Sequence, residues 1–214
     1  MLENPLEKTK VTNSEEDEEL REDLKEEEEE EGERVRGGLV LPKILTYDEQ
    51  DRFLLAVDDI EDLIACRIML YAGLRVNEAT NVLVKDIDPN QRSVFVRQGK
   101  FSKDRYAPID VSTIALIQCY IAEEKLKPDN KLFKCSKRTL QRHVTEVIAP
   151  RAGLSMNTHM LRHTCATWQL DKGIPLEVVK NNLGHASIEV TQIYLHLNIR
   201  QRSRIYSDCT RFGI

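Results

Sequence analysis

The segment Thr158–Leu197, THMLRHTCATWQLDKGIPLEVVKNNLGHASIEVTQIYLHL, holds most of the side chains that can do chemistry. It contains a His-x-x-Arg pair (His159, Arg162), a Leu-Gly-His triplet (Leu183, Gly184, His185) and a tyrosine nine residues later (Tyr194). Two histidines, an arginine and a phenol suit attack on a phosphodiester by the tyrosine oxygen. The transition state of that attack gains negative charge and calls for fixed cationic donors. The phenol must lose a proton and the leaving alkoxide must gain one, and histidine exchanges protons near neutral pH. His159 and Arg162 are one helical turn apart and share a face.

The chain that carries these residues has 214 positions, which allows one domain with an appendage. Hydrophobic residues make up 41%, enough for a core. The formal net charge of −5 averages two unlike parts. Residues 1–38 hold 16 acids and 6 bases, and residues 39–214 hold 20 acids and 25 bases. The body is mildly basic and tolerates a polyanionic partner, although charge alone does not point to DNA. Five cysteines (Cys66, Cys119, Cys135, Cys165, Cys209) form no CxxC pair. That pattern predicts reduced thiols and argues against a disulfide framework or a zinc site. No apolar run reaches the length of a membrane span, and the N-terminus is acidic, unlike a secretory signal. A soluble, cytoplasmic protein is the expectation.

The elements that must position the site are legible in outline. Residues 13–36 are too acidic to bury anything and predict disorder or a frayed helix. They are either a solubilising tail or an arm that competes with DNA for the basic face. Gly37 and Gly38 form a hinge, and the folded domain is expected from Leu39. Thr46-x-x-Glu49 reads as a capping box opening a helix to about Val57. A second helix is expected from Asp59 to Tyr71, with Leu63, Ile64, Ile68 and Leu70 inward and Gly73 as its stop. A third should run from Val76 to Val84. After a turn at Asp88-Pro89-Asn90, Ser93–Arg97 and Arg105–Ile109 read as a hairpin closed by Gly99–Lys103, with Pro108 marking an edge. Further helices are expected at about 112–126, 136–149, 158–171, 175–183 and 187–197. Ser112, Ser136, Thr158 and Ser187 are their expected N-caps, and Gly153, Gly173 and Gly184 punctuate the breaks. The fold class is mainly α with a small antiparallel β hairpin.

Five motifs in this order resemble the catalytic domain of the tyrosine recombinases, the phage-integrase family. They are Ala72-Gly73-Leu74-Arg75-Val76-Asn77-Glu78, Gly99-Lys100, His159-Met160-Leu161-Arg162-His163, Leu183-Gly184-His185 and Thr191-Gln192-Ile193-Tyr194. The likeness covers residues 41–197, and it implies the DNA breaking-rejoining fold of that family. By resemblance, Arg75 and Arg162 hold non-bridging oxygens of the scissile phosphate. Lys100, on the hairpin, is the general acid to the leaving 5′ oxygen, with Lys103 its rival and Arg105 nearby. His159 donates to the phosphate or takes the tyrosine proton. His185 stands where the family uses a histidine or tryptophan donor. Tyr194 is the nucleophile, forming a 3′-phosphotyrosyl link that a 5′ hydroxyl reverses. Glu78 either orients Arg75 or is a helix-surface ion pair. His163, which should point away from the His159–Arg162 face, is read as structural, as is Tyr206, and the spacing of His196 from Tyr194 is wrong for the role of His185.

The resemblance implies a double-stranded DNA partner and neither metal nor other cofactor. It also implies a homo-oligomer, a tetramer on DNA; residues 198–214 either dock on a neighbouring subunit or form a self-packed or frayed tail. Family members usually carry a further helical domain before the catalytic one, where this sequence has an acidic stretch of about forty residues. An accessory DNA-bending or core-binding protein is therefore among the expected partners. The resulting function is site-specific integration, excision or resolution. The alternatives are type IB topoisomerase-like relaxation and a DNA-binding remnant of an interrupted integrase that no longer transfers strands.

Overall fold

The computed structural model describes residues 42–97 and 104–185. Lys100, Lys103, Tyr194, His196 and Tyr206 lie outside the described residues, as do the acidic arm and the helix expected at 187–197. Helix α1 (Tyr47–Leu55) starts as its sequence predicts. The Thr46 hydroxyl accepts the Glu49 N–H, and the Glu49 carboxylate accepts the Thr46 N–H at 2.8 Å. Helix α2 (Ile60–Arg67) is capped by Asp59 and runs on into a π-helical turn, Ile68–Ala72. Ile64, Ile68 and Leu70 are buried as expected, whereas Leu63 is half-buried. Gly73 ends this stretch with φ +70°.

Helix α3 spans only Val76–Thr80, not the longer stretch to Val84 that its sequence suggests. The reason is tertiary. Val84 N–H donates to the Asn130 carbonyl, Lys85 N–H to Pro128, and Leu132 N–H to Val82. Pairing with residues some forty positions away draws this segment out of the helix and into a 3₁₀ turn, Val84–Asp86. Strand β1 (Ile87–Asp88), which the sequence does not announce, adds to β2 (Ser93–Val96) and β3 (Arg105–Pro108). The sheet is antiparallel in the order β1-β2-β3, with Val96 opposite Arg105 and Phe95 opposite Tyr106. Val94, Val96 and Ala107 face the core, and Phe95 and Tyr106 stack on the other face with centroids 5.0 Å apart. Pro108 sits on an edge strand, where its missing N–H costs no ladder bond.

Helix α4 (Val111–Glu123) is capped by Asp110 rather than Ser112. The Asp110 carboxylate accepts the Thr113 N–H at 2.9 Å, and Ser112 Oγ instead donates to that carboxylate. Helix α5 (Lys137–Arg142), capped by Ser136 as expected, continues through a π-helical stretch (His143–Ile148) into a last turn (Ala149–Arg151). Helix α6 (Thr158–Asp171) is capped by Asn157, one residue before the expected Thr158. Helix α7 (Leu176–Leu183) ends at Gly184, φ +71°. The core gathers Phe53, Ile64, Met69, Ile117, Leu132, Phe133, Leu140 and Leu161. Helix α6 runs through it against the π-helical turn at Ile68–Ala72, and α7 packs on α6 through Ala166, Leu170, Val179 and Leu183. Among the described residues no helix is long and apolar enough to cross a membrane.

Candidate functional site

The site is assembled where the end of the π-helical turn, α3, β3, α6 and the end of α7 meet. Gly73 makes the meeting possible. Its left-handed backbone favours glycine, and a Cβ there would stand 2.4 Å from Leu183 Cδ2 and 3.2 Å from Cys165 Sγ. The missing side chain lets α7 close on the turn, and the turn's carbonyl then faces α6. Arg162 Nη1 donates to the Gly73 carbonyl at 2.6 Å, and Arg162 Nη2 to the Leu183 carbonyl at 2.8 Å. Arg162, 4% exposed, is thus fixed by two backbone acceptors from different elements.

Glu78 is the anionic centre. It accepts the Arg75 backbone N–H at 2.8 Å, closing the first turn of α3, and the Arg75 guanidinium at 3.3 Å. Arg105 grips the same carboxylate with a fork, Nη1 to Oε1 at 2.8 Å and Nη2 to Oε2 at 2.7 Å. Arg162 Nη1 lies 3.8 Å from Oε2. Burial alone would raise the Glu78 pKa. Arg105, Arg75 and Arg162 together hold it below the ordinary carboxylate value. Glu78 thus meets all three guanidiniums with a side chain only 10% exposed.

His185 follows Gly184 and is 9% exposed. Burial, then the charges of Arg162, Arg75, His163 and Arg105, push its pKa down from 6.5 to about 2. It is a neutral imidazole at working pH, able to donate one hydrogen bond without carrying charge. His159 stands half-buried on the first turn of α6, one turn before Arg162. His163 should point elsewhere by its place in the sequence, yet it lies near enough to His185 to disfavour its protonation. Cys165 also borders the site, and burial pushes its thiol up to about 11, so it is no nucleophile at neutral pH.

Arg105 is the site residue that sequence reasoning misses, because it groups with the solvated bases of the hairpin. It is 8% exposed. A signal exists in the strand's period of two: Arg105, Ala107 and Ile109 share the inward face, whereas Tyr106 points out. Among the described residues no group of three His, Cys, Asp or Glu side chains is arranged to hold a metal ion. The cluster can instead hold an oxyanion, because three guanidiniums face one carboxylate and a neutral imidazole donor stands beside them.

Comparison with known proteins bears on the same residues. The model of the phage integrase family matches residues 41–201. The tyrosine recombinase XerA of Pyrococcus horikoshii is 33% identical over 162 residues, covering 72% of this chain and 56% of that protein. The chain thus spans little more than half the length of this relative. A crystal structure of XerA recombinase superposes with a TM-score of 0.70 at 29% identity, over 79% of this chain and 65% of that one. The XerH site-specific recombinase in a post-cleavage complex with palindromic difH substrate superposes with a TM-score of 0.67 at 26% identity, over 82% of this chain and 56% of that one. All the motif residues from Arg75 to Tyr194 fall inside the matched span, and the mainly helical fold with its small antiparallel sheet is that of tyrosine recombinase catalytic domains, so this chain belongs to the phage integrase family.

Proposed function

We propose that the chain performs site-specific DNA strand transfer, cleaving and rejoining double-stranded DNA through a 3′-phosphotyrosyl intermediate. The observation that carries this reading is the cage of Arg75, Arg105 and Arg162 around Glu78, with neutral His185 beside it. In this scheme Arg75 and Arg162 hold the non-bridging oxygens of the scissile phosphate, and their charges favour the anionic transition state. His185 donates a further hydrogen bond. His159 donates to the phosphate or accepts the phenol proton. The Tyr194 oxygen attacks phosphorus, the bond to the 5′ oxygen breaks, and Lys100, with Lys103 as the rival, gives that oxygen its proton. One phosphoester bond forms as one breaks, so the bond energy stays in the protein–DNA link and the step balances without ATP. A 5′ hydroxyl from another strand then attacks the link, releases Tyr194 and completes the transfer.

The XerH relative is described in a post-cleavage complex with its DNA substrate, which supports the same partner here. Binding through phosphate contacts should weaken steeply as salt rises. A tetramer on DNA, joined through residues 198–214, follows from the same reading; deleting those residues should abolish paired-site complexes while leaving single-site binding.

The test is covalent trapping. Protein is incubated with nicked fragments of its own genetic element and host, stopped with detergent and scored for DNA-linked protein, with Tyr194→Phe alongside. An adduct that vanishes in the variant supports the reading. Specific binding without adduct, even with host extract added, would leave a DNA-binding protein that does not transfer strands. Relaxed circles without exchange between matched sites would indicate topoisomerase action instead.

A further inference from the structure

We propose that Arg105 is a positioning residue of this site, one that sets His185 and the arginine pair in register. The assignment rests on the strand-transfer reading above. Arg105 has three donors in use on two elements. Its fork holds both oxygens of Glu78 on α3, and its Nε donates to the Asn182 carbonyl at 2.9 Å on the last turn of α7. That carbonyl and its neighbour are among those that a helix end leaves without an intrahelical partner. Arg105 takes one and Arg162 takes the next, that of Leu183. Cations at a helix C-terminus are also favoured by the helix dipole.

The consequence is geometric. Asn182 precedes His185 by three residues, and between them only Leu183 and the left-handed Gly184 intervene. The His185 N–H is itself tied to the Lys180 carbonyl at 3.1 Å, so the imidazole follows the helix end. Through Glu78 the same guanidinium fixes the carboxylate on which Arg75 rests. Arg105 is therefore the one described side chain that bonds both Glu78 and the end of α7 directly. Arg162 reaches the α7 end too, but meets Glu78 only at 3.8 Å. Arg105, 8% exposed on strand β3, acts on the donors through Glu78 and the end of α7. A lysine here would keep the charge and lose the fork, and the two residues are not equivalent for that reason.

The experiment compares wild type, Arg105→Lys, Arg105→Gln, Glu78→Gln and the double variant Arg105→Lys/Glu78→Gln. Each is measured for thermal melting, for DNA affinity and for the single-turnover rate of adduct formation at saturating DNA. At temperatures where the proteins are folded, Arg105→Lys should bind DNA within about twofold of wild type and cleave roughly 10- to 100-fold more slowly, the scale of loss expected from misplaced groups. The double variant should lose less than the product of the two single losses, because both changes remove the Arg105–Glu78 bonds, while the bond to the Asn182 carbonyl goes only with Arg105. In a histidine NMR spectrum, the His185 resonance should move in Arg105→Lys, and that of His143, which pairs with Asp62, should stay. Wild-type cleavage in a folded Arg105→Lys, equal losses of affinity and rate, additive effects in the double variant, or failure of both Arg105 variants to fold would each overturn the assignment. If wild type itself forms no adduct, the strand-transfer reading fails and the positioning of His185 is judged from its resonance: a shift retains it, and no shift overturns it.

Discussion

Asp62 and Glu78 occupy the same place in successive helices, the third residue of the first turn of α2 and of α3; Asp62 is buried and the Glu78 side chain is 10% exposed. Their chemistry has gone opposite ways. The Asp62 carboxylate meets one partner able to carry charge, His143 Nδ1 at 2.7 Å. Burial raises its pKa, and the hydrogen bond and charge of His143 only partly offset that. Burial would raise the Glu78 pKa too, but Arg105, Arg75 and Arg162 overcome it and hold the carboxylate below its ordinary value. Burial does not by itself decide ionisation; the number of fixed cations does. One carboxylate with one imidazole ties α2 to the π-helical stretch His143–Ile148. One carboxylate with three guanidiniums makes a cluster of net positive charge, and such a cluster suits a phosphate.

Glu78→Gln should break this contrast most severely. It leaves buried guanidiniums without their counter-charge, and the loss of one partner from a buried charged network costs about 3–5 kcal/mol. Urea denaturation at neutral pH measures it.

The pH dependence separates the two carboxylates by sign. Glu78 has a folded pKa below its ordinary 4.5, so its contribution is present above that value and is lost as pH falls through the folded pKa. His185 acts in the same direction. Its folded pKa of about 2 lies far below 6.5, so only the unfolded chain takes up that proton between those values. Its share of stability should fall by about 1.4 kcal/mol per pH unit on acidification below 6.5. Asp62 does the reverse: with a folded pKa above 3.8, it contributes most below 3.8 and loses that contribution as pH rises through the folded value. Denaturation midpoints between pH 6.5 and 4.5 should therefore slope less in His185→Gln than in wild type.

Gly73→Ala perturbs the cage without touching a charge. The added Cβ meets Leu183 and forces the left-handed backbone, which should cost about 1–3 kcal/mol and displace the carbonyl that holds Arg162. Asp62→Asn should be mildest, about 1 kcal/mol, because the amide still offers His143 a hydrogen bond.

Much of this architecture is written locally. Thr46 and Glu49 announce α1, Ser136 announces α5, and the spacing of His159 from Arg162 puts them on one face of α6. The left-handed glycines at 73, 153, 173 and 184 stop their elements where the sequence predicts. What is not legible depends on distant partners. Helix α3 ends early because residues 82–85 pair with 128–132, and no window of sequence contains both. The π-helical turns carry no signal of their own. Arg105 looks like one more base in a basic hairpin until β2 fixes its register and turns it inward onto Glu78. Glu78 is recognisable as a neighbour of Arg75, but its grip on three arginines is a property of three elements together, α3, β3 and α6.

The most direct test of this account is the single-turnover rate of adduct formation in Glu78→Gln against Asp62→Asn, at a pH and temperature where both are folded. If the carboxylate of α3 organises the phosphate site, Glu78→Gln should bind DNA yet form adduct about a hundredfold more slowly, and Asp62→Asn should match wild type. Equal rates in the two variants, whether both high or both low, would contradict it.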